Sequence, residues 1–180
     1  MTAPPSSELL QLARDTVYTL RDAAASGSGV DALRDAGHSG GSALYDAFRI
    51  WVRAAGGDDP AQLTLEDFSS QARDFFAGAG WGNLVLRSSH DAFAVVEIEQ
   101  CWEAASVGKE GTHGCHVTTG ALAGFLEPLA GYPLAVMEVE CARETGASCR
   151  FLAGNEQMLD DAYQRIVAGE SWETLEAGEP

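Results

Sequence analysis

The chain has 180 residues, 46% of them hydrophobic, which suffices for one ordinary core and is short for two. Its formal net charge of -16, with eleven Lys and Arg scattered singly, opposes docking on a polyphosphate backbone or an anionic lipid surface, so direct nucleic-acid and membrane binding are set aside. No stretch reaches the roughly 20 apolar residues of a membrane span, and Met1 to Ser7 lacks the basic and apolar regions of a signal peptide, so one cytoplasmic domain over residues 1–180 is expected.

From Ser6 to Ala25 the apolar residues Leu9, Leu10, Leu12, Ala13, Val17 and Leu20 recur at helical spacing and predict a first amphipathic helix. The glycine-rich run from Gly27 to Gly41 predicts a break, after which Leu44, Tyr45, Phe48, Trp51 and Val52 form a second helical stripe ending at Gly56. Thr64, with Asp67 three residues on, predicts a capped third helix whose face of Phe68, Ala72, Phe75 and Phe76 stops at Gly78, Gly80 and Gly82.

Beyond Gly82 the period changes. Leu84 to Leu86, a polar Ser88-Ser89-His90-Asp91 connection and the alternating run Phe93 to Glu99 predict a hairpin. Cys115 to Glu127 returns to helical spacing until Pro128 and Gly131, Leu134 to Ala142 and Cys149 to Leu152 predict strands joined at Thr145-Gly146, and Met158 to Val167 a last helix. The expected order is αααββαββα: an α+β domain with an antiparallel sheet of about four strands, residues 1–80 helical and residues 81–170 carrying the strands.

Four cysteines in a chain without an export signal suit metal binding or core packing better than disulfides. Cys141 and Cys149 flank the Thr145 turn, so on paired strands their thiols face one another. Cys115 stands where a helix begins, and the partial positive charge there favours thiolate. Glu138 lies three residues before Cys141, an offset that places the two on opposite strand faces unless a bulge intervenes. With three thiolates and one carboxylate a zinc site is closed and structural; on physical grounds His113 or His116 serves equally well as fourth ligand.

The segment Gly114-Cys115 through Gly120, Gly124-Phe125, Glu138-Val139-Glu140-Cys141, Gly146 and Cys149-Arg150-Phe151 resembles the 4-vinyl reductase domain family. That family includes sensor domains of bacterial activators responsive to phenols and xylenes and proteins linked to vinyl reduction in bacteriochlorophyll synthesis, on a fold similar to the TRAPP subunits. The resemblance implies the metal set Cys115, Glu138, Cys141 and Cys149, with Glu138 preferred to the histidines. It covers Phe93 to Leu152 and fades over the N-terminal helices. In the aromatic-sensing relatives a Trp and a His near the sheet contact the ligand, which makes Trp81, His90 and Trp102 ligand candidates here.

Cys101, placed by strand order on the other hairpin, is expected to be a core or surface thiol away from the metal. His38, His90, His113 and His116 sit on loops and element ends, and Gly37, Gly40 and Gly41 follow no strand and so form no phosphate cradle. The aromatic residues from Tyr45 to Trp102 can line a cavity between helices and sheet or fill a core. The leading expectation is a small-molecule-binding sensory domain with a structural zinc, taking an apolar or aromatic ligand, paired as a homodimer through Phe48, Trp51, Phe75 and Phe76 and signalling through a separate regulatory protein. No catalytic residues are assigned. An accessory or enzyme in tetrapyrrole reduction and a TRAPP-like dimeric scaffold are the alternatives.

Overall fold

The computed structural model describes residues 12–89, 93–105 and 114–177. The elements are α1 (Arg14–Ala54), a 3-10 turn at Pro60–Gln62, α2 (Leu65–Ala79), β1 (Asn83–Ser89), β2 (Phe93–Glu99), α3 (His116–Ala130), β3 (Ala135–Glu140), α4 (Ala142–Thr145), β4 (Ser148–Gly154), α5 (Glu156–Val167) and α6 (Trp172–Ala177). The four strands form one antiparallel sheet in the order β1-β2-β4-β3, so the expected α+β class is met. Val96, Ile98, Cys149 and Phe151 point from the sheet into the main core beneath the large helices, whereas Val95 and Leu152 point to the opposite face, where Leu159 of α5 covers them.

The predicted break between the first two helices shrinks to one residue. Gly29, at φ 82° and ψ 177°, kinks α1, but the chain is helical again through the glycine-rich run to Ala54. Packing explains why. Gly37 and Gly41 press against α3, where a Cβ at either would stand 2.2 Å from the carbonyl oxygen of Val117 or Ala121; reciprocally, a Cβ at Gly120 or Gly124 would stand 2.0 or 2.2 Å from the carbonyl oxygen of Arg34 or His38. Glycines four apart on both helices thus open a seam where two backbones touch, and that contact outweighs the poor helix propensity of glycine.

Elsewhere local signals hold. Thr64 caps α2 by accepting the N–H of Asp67 at 3.1 Å, and Gly80 ends it in the left-handed region. Asn155 caps α5 by accepting the N–H of Met158 at 2.9 Å. Pro128 lies inside the last turn of α3, so the helix stops at Gly131 rather than at the proline. The turn between β3 and β4 is the short helix α4. No helix among the described residues is long and apolar enough to cross a membrane.

Phe48, Phe75, Phe76 and Phe125 are at most 1% exposed and pack ring against ring, with Phe76 and Phe125 centroids 4.9 Å apart. The aromatic stripes of the helices are therefore spent on the chain's own core. Phe48, Trp51, Phe75 and Phe76 offer no surface to a second copy, contrary to the interface expected from the sequence.

Candidate metal centre

Four elements converge at the start of α3. Cys115 occupies its N-cap position, Glu138 lies in β3, Cys141 precedes α4 and Cys149 lies in β4. One ligand atom from each of these residues lies within 4.8 Å of all the others. The bulge that the three-residue offset requires is present: Glu138 stands opposite Phe151 and Glu140 opposite Arg150, so Val139 is the extra residue. Glu138 thereby shares the core face with Phe151, and Cys141 returns to the face of Cys149.

The Sγ atoms of Cys115 and Cys149 are 3.6 Å apart. Two thiolates on one zinc at about 2.3 Å and a tetrahedral angle stand about 3.8 Å apart, so this pair already has the needed spacing. Glu138 Oε2 accepts the backbone N–H of Cys115 at 2.7 Å, whereas its Oε1 is buried and has no hydrogen-bond partner among the described residues. Gly114, at φ 112°, allows this approach, because a Cβ there would lie 3.3 Å from Oε2. The Ala142 N–H points to the sulfur of Cys149 at 3.4 Å. His116 is outside the four-atom set, and His113 lies outside the described residues.

Burial pushes the Glu138 carboxyl up to about 7. Hydrogen bonding with Cys115 holds the thiols of Cys101 and Cys141 below the usual thiol range, and hydrogen bonding with Cys101 first pushes Cys115 and Cys149 above it. Protons shared among crowded sulfurs are what a divalent cation would displace, since thiolate and carboxylate are the ligating forms. Three soft sulfurs and one oxygen suit zinc, and with four protein ligands its shell is closed to water.

Two placements correct the sequence reading. Cys101 does not lie away from the cluster: β2 pairs with β4, and Cys101, just past β2, is 2% exposed with its Sγ 3.9 Å from that of Cys115. Trp81 and Trp102 belong to a structural bracket. Their rings meet edge to face at 5.7 Å, Trp102 stacks on Tyr18 at 6.0 Å, and the Tyr18 hydroxyl donates to the Trp102 carbonyl at 2.9 Å. His90 lies outside the described residues.

The sequence reading also missed Glu103 and Arg21. Glu103 is fully buried and accepts from the N–H groups of Val117 and Thr118, from the Thr118 hydroxyl and from Arg21 Nε at 2.8 Å. Arg21 Nη2 also donates to the Gly114 carbonyl at 3.0 Å. This carboxylate satisfies the exposed N–H groups at the start of α3 and ties them to α1, which fixes the helix end carrying Cys115. Arg21 sits on an otherwise apolar helix face, the one local sign of its burial.

Away from the metal donors, at the other end of α3, an apolar cleft of about 330 Å³ opens between that helix, the sheet and the start of α2. Leu86, Phe93, Ala94, Leu126, Leu129 and Leu134 line it. Leu65 and Tyr132, also in its wall, are 45% and 51% exposed. Neither Trp81 nor Trp102 borders it.

Residues 94–155, from β2 to the cap of α5, match the 4-vinyl reductase domain, and all four donors fall within the match. The fold is similar to that of the phenol-responsive sensory domain of the transcription activator PoxR with phenol, at a TM-score of 0.62 and 13% identity over 86% of this chain and 82% of that one. A vinyl-4-reductase family protein from Methanocaldococcus jannaschii aligns at a TM-score of 0.49 and 18% identity, over 81% of this chain and 83% of that one. No curated protein matches the chain in sequence.

Proposed function

We propose that the chain, carrying a 4-vinyl reductase domain over residues 94–155, is a small-molecule-binding sensory module braced by one structural zinc ion on Cys115, Glu138, Cys141 and Cys149. The observation that carries the metal is the buried, unpartnered Oε1 of Glu138 within reach of three thiols. An orphaned carboxylate oxygen is costly in a core unless a cation meets it. The ion supplies a cross-link between the start of α3, β3 and β4, and its closed shell leaves no position for an activated water.

The ligand is a small apolar or aromatic molecule, held in the cleft at the far end of α3. Support comes from its apolar lining, from the exposed Leu65 and Tyr132 in its wall, and from the shared fold of a domain crystallised with phenol. The metal and the cleft lie at opposite ends of one buried helix, about 20 Å apart at 1.5 Å per residue. In this reading the zinc keeps α3 and the sheet in register so that the cleft holds its shape, the module acts in the cytoplasm, and a separate regulatory protein or a second copy reads the state.

Thermal-shift measurements with phenols, alkylbenzenes, fatty acids and tetrapyrroles test the reading. A compound at a hundredfold excess over its dissociation constant stabilises the folded state by about 2.7 kcal/mol. Ala94→Trp, which fills the cleft, abolishes the shift while far-ultraviolet circular dichroism stays unchanged. Zinc-loaded protein that no compound stabilises contradicts the ligand half of the proposal.

A further inference from the structure

Cys101 is the one thiol that the four-donor set leaves out, and its surroundings are those of a ligand. Its sulfur is 3.9 Å from Cys115 Sγ, near the spacing of two thiolates on one ion, and also contacts Cys149. The backbone amides of Glu103 and Ala104, two and three residues on, are turned to that sulfur, as the amide of Arg143 is turned to Cys141 two residues before it. Amides so placed favour a thiolate. Gln100, at φ 56°, is the one non-glycine residue with positive φ among the described residues, and it turns the chain from β2 so that Cys101 enters the core. The loop after Cys101 is then anchored by buried Glu103 to Arg21 and to the start of α3.

We propose that Cys101 is a fifth donor of the metal centre, exchanging with Glu138 so that the site offers either three thiolates and a carboxylate or four thiolates. The two sets share Cys115, Cys141 and Cys149. Zinc uses the carboxylate set. A softer ion, cadmium being the convenient probe, uses the all-sulfur set, because thiolate preference rises with the softness of the metal. On exchange the Cys101 thiol releases its proton to solvent as its sulfur binds the ion, and the Glu138 carboxylate leaves the ion while keeping the Cys115 N–H. The inference rests on the metal reading above, and its test separates the two.

X-ray absorption of the full chain loaded with cadmium counts the sulfur neighbours. Four in the wild type and three in Cys101→Ser are expected; three with an oxygen in both overturns the inference. Metal analysis after zinc loading gives a second readout. Glu138→Gln retains one ion and Glu138→Gln with Cys101→Ser loses it, whereas loss in Glu138→Gln alone, equal to that in the double variant, overturns the exchange. A wild type that binds neither zinc nor cadmium removes the metal reading itself, which is a different failure.

Discussion

The backbone N–H of Cys115 and the carboxylate of Glu138 are joined at 2.7 Å, so one oxygen of the glutamate is fixed by the residue that supplies a neighbouring sulfur while its other oxygen stays free for an ion. This relationship predicts a pH dependence. In the metal-free chain burial raises Glu138 from the ordinary 4.5 to about 7, so its neutral form is favoured in the fold; the corresponding stability is present below about 4.5 and is lost as pH rises through about 7. Metal binding has the opposite sign, because it needs the carboxylate and the thiolates and expels their protons. Zinc affinity against a competing chelator therefore rises from below to above the Glu138 value of about 7, with net proton release; affinity flat over that window contradicts the assignment.

Replacing Cys149 by Ala removes a donor that is fully buried. Structural zinc contributes apparent binding free energy on the order of 10 kcal/mol, comparable to the whole stability of a domain. Cys149→Ala is expected to lose the ion and the cooperative thermal transition, as is Cys141→Ala, although Cys141 is only half-buried and leaves a smaller cavity. Metal content near one per chain in either variant counts against the ligand set.

The α1 seam predicts opposite signs for neighbouring glycines. A Cβ on Gly41 would meet the Ala121 carbonyl at 2.2 Å, whereas one on Gly40 meets nothing within 4 Å. Gly40→Ala should stabilise by roughly 0.5–1 kcal/mol through the helix preference of alanine. Gly41→Ala should destabilise by at least about 1–3 kcal/mol, since backbone must move. Urea unfolding of the two variants decides; equal effects would mean that the helices are not in backbone contact.

Glu103 and Arg21 form a buried ion pair whose carboxylate also serves two N–H groups of α3. Removing one partner strands the other, at a cost of about 3–5 kcal/mol. Glu103→Ala is expected to lower the unfolding free energy in urea by that amount and to weaken zinc affinity through misplacement of Cys115, about tenfold or more. A variant as stable as the wild type would show that the pair is not buried in solution.

Much of this was legible from local pattern, since period and capping chemistry act over a few residues. The Thr64 cap, the β1–β2 alternation, the need for a bulge between Glu138 and Cys141, and the donor set itself were all readable. What could not be read depends on which elements become neighbours. The adjacency of β2 and β4 brings Cys101 to the metal donors, and the pairing of α1 with α3 turns Gly37 and Gly41 from helix breakers into contact points. Trp81 and Trp102 were chosen for residue type alone; their packing against each other and Tyr18 left the cleft to aliphatic residues and Phe93.

The central claim is that three thiols and one carboxylate hold a single ion. Native mass spectrometry of chain purified under reducing conditions tests it most directly, by comparing the folded mass with that of the acid-denatured chain. The account predicts one zinc per chain, lost with acid and absent in Cys149→Ala. A folded wild-type chain that carries no metal, or whose mass shows Cys115 and Cys149 joined as a disulfide, would contradict it.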